Sequence, residues 1–108
     1  MTDRKSRSSG GTAAATAGMP ALRSEHAVSR LFGDEAVIVE SRKGLVNVVN
    51  VVGSRIWELA DGAHTADDIA GIIGSEYDVT PDAARKDTLA FLEDMASKGL
   101  ISFRKADR

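Results

Sequence analysis

Apolar and polar positions alternate in short runs between residues 28 and 49, then recur at three- and four-residue spacing from 52 to 95. A period of two marks strands with one buried face, and the longer period marks amphipathic helices. The chain therefore reads as strands first and helices second, an α+β order. Residues 28–32 (VSRLF) form a short, loosely alternating strand, and residues 36–40 (AVIVE) a β-branched one. Residues 45–49 (LVNVV) form a third, with Asn47 on the opposite face from Val46 and Val48. The turns between them, Gly33-Asp34-Glu35 and Ser41 to Gly44, are short, so the pattern predicts an antiparallel meander. Such a sheet has two edges to which another chain can add.

The helices follow, and each carries its own start signal. Asn50 is placed to cap a helix over residues 51–61, in which Val52, Ile56 and Leu59 share a face widened by Trp57. Gly62 is expected to close it in the left-handed conformation, leaving Gly62-Ala63-His64 as a loop. Thr65 with Asp68 approximates a capping box for a second helix over residues 66–76, buried through Ile69, Ile72, Ile73 and Tyr77. Gly71 and Gly74 weaken that helix by about 1 kcal/mol each relative to alanine. Thr80 and Pro81 begin a third helix, residues 81–98, which Gly99 stops. Residues 100–103 then read as a docked extended segment.

The third helix carries more apolar surface than a minimal core needs. Ala84, Thr88, Phe91 and Met95 occupy one narrow arc; Leu89, Leu92 and Ala96 form a second, with Arg85 on the same side. If the first arc faces the other helices, the second borders the sheet. There it either packs on the protein's own strands, which the pattern alone favours, or lines a groove for an extended peptide. In such a groove the strand edge supplies hydrogen bonds and the helix supplies side-chain pockets.

Composition bounds the function. Of 108 residues, 43% are hydrophobic but only 5% aromatic, so aliphatic side chains supply most of the core. The length suits one domain. Residues 1–24 are rich in Ser, Gly, Ala and Thr, and carry Arg4, Lys5, Arg7 and Arg23 against Asp3. They read as a disordered tail, passive or serving as a tether or weak basic arm, with residues 25–104 as the domain and 105–108 as a frayed end. The remainder holds ten basic and fifteen acidic residues, which argues against a phosphate-backbone footprint. With no cysteine, disulfides, thiolate metal sites and thiol nucleophiles are excluded. No run is long enough to span a membrane and no secretory h-region opens the chain, so the expected setting is cytoplasmic.

No catalytic set emerges. His26 borders the tail and His64 lies between helices; Asp67-Asp68 and Glu93-Asp94 are adjacent in sequence, so each pair diverges on a helix. Neither GxGxxG nor GxxxxGK[ST] occurs. Trp57 reads as core. The expectation is a protein that is not an enzyme and needs neither cofactor nor metal.

Three stretches in order, VNVVGSRIWELADG, HTADDIAGIIGSEYDV and DAARKDTLAFLEDMASKGLI, resemble the PqqD-like family. That fold also forms the element recognising precursors of ribosomally made, modified peptides. The resemblance rests on Gly53, Ile56-Trp57, Asp61-Gly62, Phe91-Leu92 and Gly99-Leu100-Ile101 in combination. It covers residues 49–101 well and the strands more loosely. It implies a winged-helix-like α+β domain, a three-stranded antiparallel sheet followed by a three-helix bundle. It further implies binding of a precursor's leader segment as an added strand, for presentation to a modifying enzyme, often a radical-SAM protein. Pyrroloquinoline quinone is one product of such systems. Carried onto this chain, the peptide-binding residues would be Leu45, Val46, Asn47, Val48 and Val49 of the third strand with Arg85, Leu89, Leu92 and Ala96 of the third helix. The aromatic residue that the family often has in the third strand is missing, which makes the groove floor aliphatic. The expected partners are thus a leader peptide and its enzyme, without nucleic acid or membrane, in a monomer or weak homodimer. Two rival readings stay open: a winged-helix DNA-binding protein, which the acidic third helix disfavours, and a scaffold associating through its free sheet edge.

Overall fold

The computed structural model describes residues 18–103. Strand β1 (Pro20–Arg23) comes first. The meander β2 (Ala27–Phe32), β3 (Glu35–Glu40) and β4 (Leu45–Val49) follows. Helix α1 (Val51–Leu59), strand β5 (Asp61–Thr65), helices α2 (Ala66–Glu76) and α3 (Pro81–Ser97), and strand β6 (Ile101–Phe103) complete the order. Two antiparallel sheets result, β2-β3-β4 and β5-β1-β6. The α+β class and the meander of the sequence reading are both present; a second sheet joins them.

Side-chain alternation in the meander decides which face meets the helices. Ala36, Ile38 and Glu40 of β3 stand opposite Val49, Asn47 and Leu45 of β4 and share one face, of which Ala36, Ile38, Glu40 and Val49 are buried. Val46 and Val48 project from the other face, 63% and 69% exposed. Ile38, Ile56, Ile69, Ile73, Leu92 and Leu100 form the fully enclosed centre of the core. Trp57 belongs to it, and its indole Nε1 donates to Ser29 Oγ at 3.1 Å, which satisfies its polar edge.

The local start signals act as the sequence predicts. Asn50 Oδ1 accepts from Gly53 N at 2.9 Å. Thr65 and Asp68 exchange bonds in a full capping box. Thr80 Oγ1 accepts from Ala83 N at 3.1 Å, with Pro81 in the first turn. Each cap satisfies an amide that the first helical turn leaves without an intrahelical partner.

Two expectations are corrected. Pro20–Arg23 lies inside the stretch read as a tail, yet it is the middle strand of the second sheet, with Ala21 0% exposed. Four residues without apolar periodicity give no local strand signal. Their partners, β5 and β6, come from residues 61–65 and 101–103, so the burial is wholly non-local. The rest of that tail reading, residues 1–17, and the frayed end at 104–108 lie outside the described residues. Gly62 does not close α1. The helix ends at Leu59, and Gly62 takes its positive φ of +88° inside β5, where a loop was expected.

Candidate functional site

Strand β4 is an edge of its sheet, so half of its backbone donors and acceptors face away from β3. What stands across that open side is set by α3 and the start of α1. Gly53 sets how closely they approach. A Cβ there would lie 3.0 Å from Phe91 Cε1 and 3.3 Å from Val49 Cβ, so a larger residue would require the Phe91 ring to give by a few tenths of an ångström. Phe91 is half-buried, and beside it a hollow of about 270 Å³ opens between Asn50, Gly53, Val79, Asp87 and Phe91. At the other end of β4, Lys98 Nζ donates to Asn47 Oδ1 at 2.8 Å and to Asp94 Oδ2 at 3.0 Å. One helix face, with Phe91, Asp94 and Lys98 at i, i+3 and i+7, therefore meets the inward side of β4. It is apolar at the Val49 end and charged at the Asn47 end.

The nine residues named from sequence separate into two groups. Leu45, Val46, Asn47, Val48 and Val49 do form the edge strand. The four helix residues are placed elsewhere. Arg85 ion-pairs with Asp67 of α2 at 2.8 Å, so it is turned toward that helix. Leu92 is 0% exposed within the core, and Leu89 and Ala96 are partly covered. In that arc Leu92 packs in the core, Leu89 is partly buried against it, and Arg85 is paired to α2. Helix α3 lies against α2 and β6. Phe91, Asp94 and Lys98 form a second set on α3, in which Asp94 and Lys98 stand at i and i+4, the spacing of a helical ion pair.

The acidic pairs each have a structural partner. Asp67 holds Arg85, Asp68 completes the α2 capping box, and Asp94 holds Lys98. His64 Nδ1 lies 2.9 Å from Asp61 Oδ1, a pair within one strand. The N–H of Ala63, followed by His64, holds the Asp61 carboxyl below its usual range. Among the described residues, no cluster of three or more His, Asp or Glu is placed to hold a metal ion. No helix among them is long and apolar enough to cross a membrane.

The fold and site define a class: a small α+β domain with an open sheet edge beside one helix face. The family model for coenzyme PQQ synthesis protein D (PqqD) matches residues 35–101. The chain belongs to the PqqD family. Two solved structures share its fold. One is titled "TbiB1 in Complex with the TbiA(beta) Leader Peptide" and is 31% identical, with 80% of this chain and 99% of that one covered at a TM-score of 0.69. The other, "Lasso peptide synthetase B1 complexed with the leader peptide", is 19% identical, with 77% and 98% covered at a TM-score of 0.68. No curated protein matches in sequence.

Proposed function

We propose that this protein binds the leader segment of a ribosomally made precursor peptide and presents it to the enzyme that modifies the remainder, without performing chemistry itself. The observation that carries this reading is the open β4 edge facing Phe91 and Lys98, in a chain 31% identical to a protein bearing a leader peptide. The leader adds as a fourth strand beside β4. Backbone pairing along Leu45, Val46, Asn47, Val48 and Val49 supplies affinity, and side chains entering between β4 and α3 supply selectivity. On the helix, Phe91, Asp94 and Lys98 take the roles that the family resemblance suggested for Arg85, Leu89, Leu92 and Ala96. That resemblance makes a radical-SAM protein in the cytoplasm the first enzyme to test as partner.

Titrating the ¹⁵N-labelled protein with leaders encoded by short reading frames beside its gene tests the reading. Saturable amide shifts should concentrate at residues 45–50 and 87–98. A spectrum unmoved by every such leader, with shifts on adding duplex DNA, would replace this reading with nucleic-acid binding. A self-associated protein indifferent to both ligands would favour the scaffold.

A further inference from the structure

We propose that the lysine end of the β4–α3 groove, Lys98 with Lys43, binds a carboxylate side chain. The leaders this protein reads would then carry an Asp or Glu at the inward position beside Asn47. The inference rests on the leader-binding reading above and names the chemical class of that ligand.

Lys98 stands at the carboxyl end of α3. Its ammonium has three donors, and two are committed, to Asn47 Oδ1 and Asp94 Oδ2. The third has no acceptor among the described residues. A lysine serving only the carboxyl end of α3 would have no need to reach Asn47, 51 residues away in sequence and on the edge strand. Asn47 is on the inward face of β4, so an added strand would place an inward side chain beside it. Neighbouring strands lie about 4.8 Å apart, and directly opposed Cβ atoms lie about 4.5–5.5 Å apart. A carboxylate at that position is within reach of the same ammonium.

The charge balance favours an anion. Lys43 Nζ stands 3.7 Å from where a Cβ on Gly99 would be, next in sequence to Lys98. The β3–β4 turn that holds Lys43 is fixed by Glu40, whose Oε1 accepts from Lys43 N at 2.8 Å. Glu40 itself is ion-paired to Arg42 at 2.9 Å, so its charge is already matched. Lys98 is paired with Asp94, and Lys43 has no ion-pair partner among the described residues, so one positive charge is left over.

An added strand would also strip water from this corner. Desolvation strengthens a charge-assisted bond to a carboxylate and penalises an apolar side chain that leaves the lysine unmatched. The Phe91 end of the groove is apolar, so the charge would also select register. A slip of one residue would turn the acid to the outer face.

The test is selection of an mRNA-displayed library of random 20-residue peptides on the full chain, with amide shifts locating the survivors. Survivors that shift β4 should share an Asp or Glu at a fixed distance from an apolar anchor. That preference should vanish with Lys98→Gln, invert toward Lys or Arg with Lys98→Glu, and persist with Lys86→Gln on the exposed side of α3. For one selected peptide, replacing the acid by its amide should weaken binding about tenfold to the native chain and leave binding to Lys98→Gln unchanged. Survivors at β4 without an acidic position, or an acidic preference retained by a folded Lys98→Gln protein, would overturn the proposal while leaving leader binding intact. No peptide recovered on the native chain would overturn both.

Discussion

Arg23 of β1 donates from Nη1 to the Trp57 carbonyl oxygen at 2.8 Å, closing α1 with a side chain 34 residues upstream. The same nitrogen reaches the Glu58 carbonyl oxygen, also at 2.8 Å. Helix α1 has no basic residue in its own last turn, so Arg23 supplies the positive charge that its carboxyl end favours. Arg23→Ala should cost about 1–2 kcal/mol, the effect of a charged donor discounted for partial exposure. Denaturant midpoints of the two proteins would measure it. Deleting residues 1–24 should be far more severe, because β5 and β6 would lose the strand between them. A truncated protein that still melts cooperatively at the native temperature would contradict the central place of β1.

Glu40 makes the β3–β4 turn sensitive to acid. Burial pushes its carboxyl pKa up, but the Lys43 N–H, the Arg42 guanidinium and the Arg42 N–H together pull it below the ordinary value. A folded pKa below the unfolded one means the stabilisation is complete above the unfolded value of about 4.3 and is lost as pH falls through the folded value. Glu76, held down by Arg55, acts in the same direction. Glu40→Gln should therefore be less stable than the native chain at neutral pH, and the gap should narrow on acidification. Parallel urea titrations between neutral pH and about pH 3 would show the convergence; a gap that is constant or grows would refute it.

Thr88 is fully buried in α3, and its hydroxyl is the one enclosed side-chain polar atom without a partner among the described residues. Replacing it by valine keeps the branched shape and removes an unsatisfied group. Thr88→Val should stabilise the protein by about 1 kcal/mol. A lower melting temperature in the variant would mean that the hydroxyl has a hidden acceptor.

The parts of the fold that were legible in sequence are those whose signals are local. Asn50, Thr65 with Asp68, and Thr80 with Pro81 each announce a helix within four residues, and AVIVE and LVNVV carry their own alternation. Strands β1 and β5 carry no such signal. PALR becomes a strand because it finds DGAHT on one side and β6 on the other, and DGAHT because it finds PALR, a fact held in the packing rather than in either segment. The site divides in the same way. The edge strand was visible because its pattern belongs to residues 45–49 alone. Which side of α3 turns toward β4 was not, because two apolar arcs compete on that helix. The contacts that orient the helix, Arg85 with Asp67 and Lys98 with Asn47, join residues distant in sequence.

That rotation of α3 yields the sharpest mutational contrast. Leu92 is fully enclosed, so Leu92→Asp would bury an unpaired carboxylate and should unfold the domain rather than selectively remove leader binding. Phe91 is half-buried at the groove, and Phe91→Leu keeps aliphatic bulk while removing the ring that lines the hollow by Gly53. This variant should fold and melt within a few degrees of the native chain. Its leader affinity should drop about tenfold, or about 1.4 kcal/mol. Calorimetric titration with a leader that binds the native chain would measure the loss, and circular dichroism would confirm the fold. If Phe91→Leu binds as tightly as the native chain, the leader does not use this face of α3. A folded Leu92→Asp protein that binds nothing would return the groove to the arc through Leu89 and Leu92.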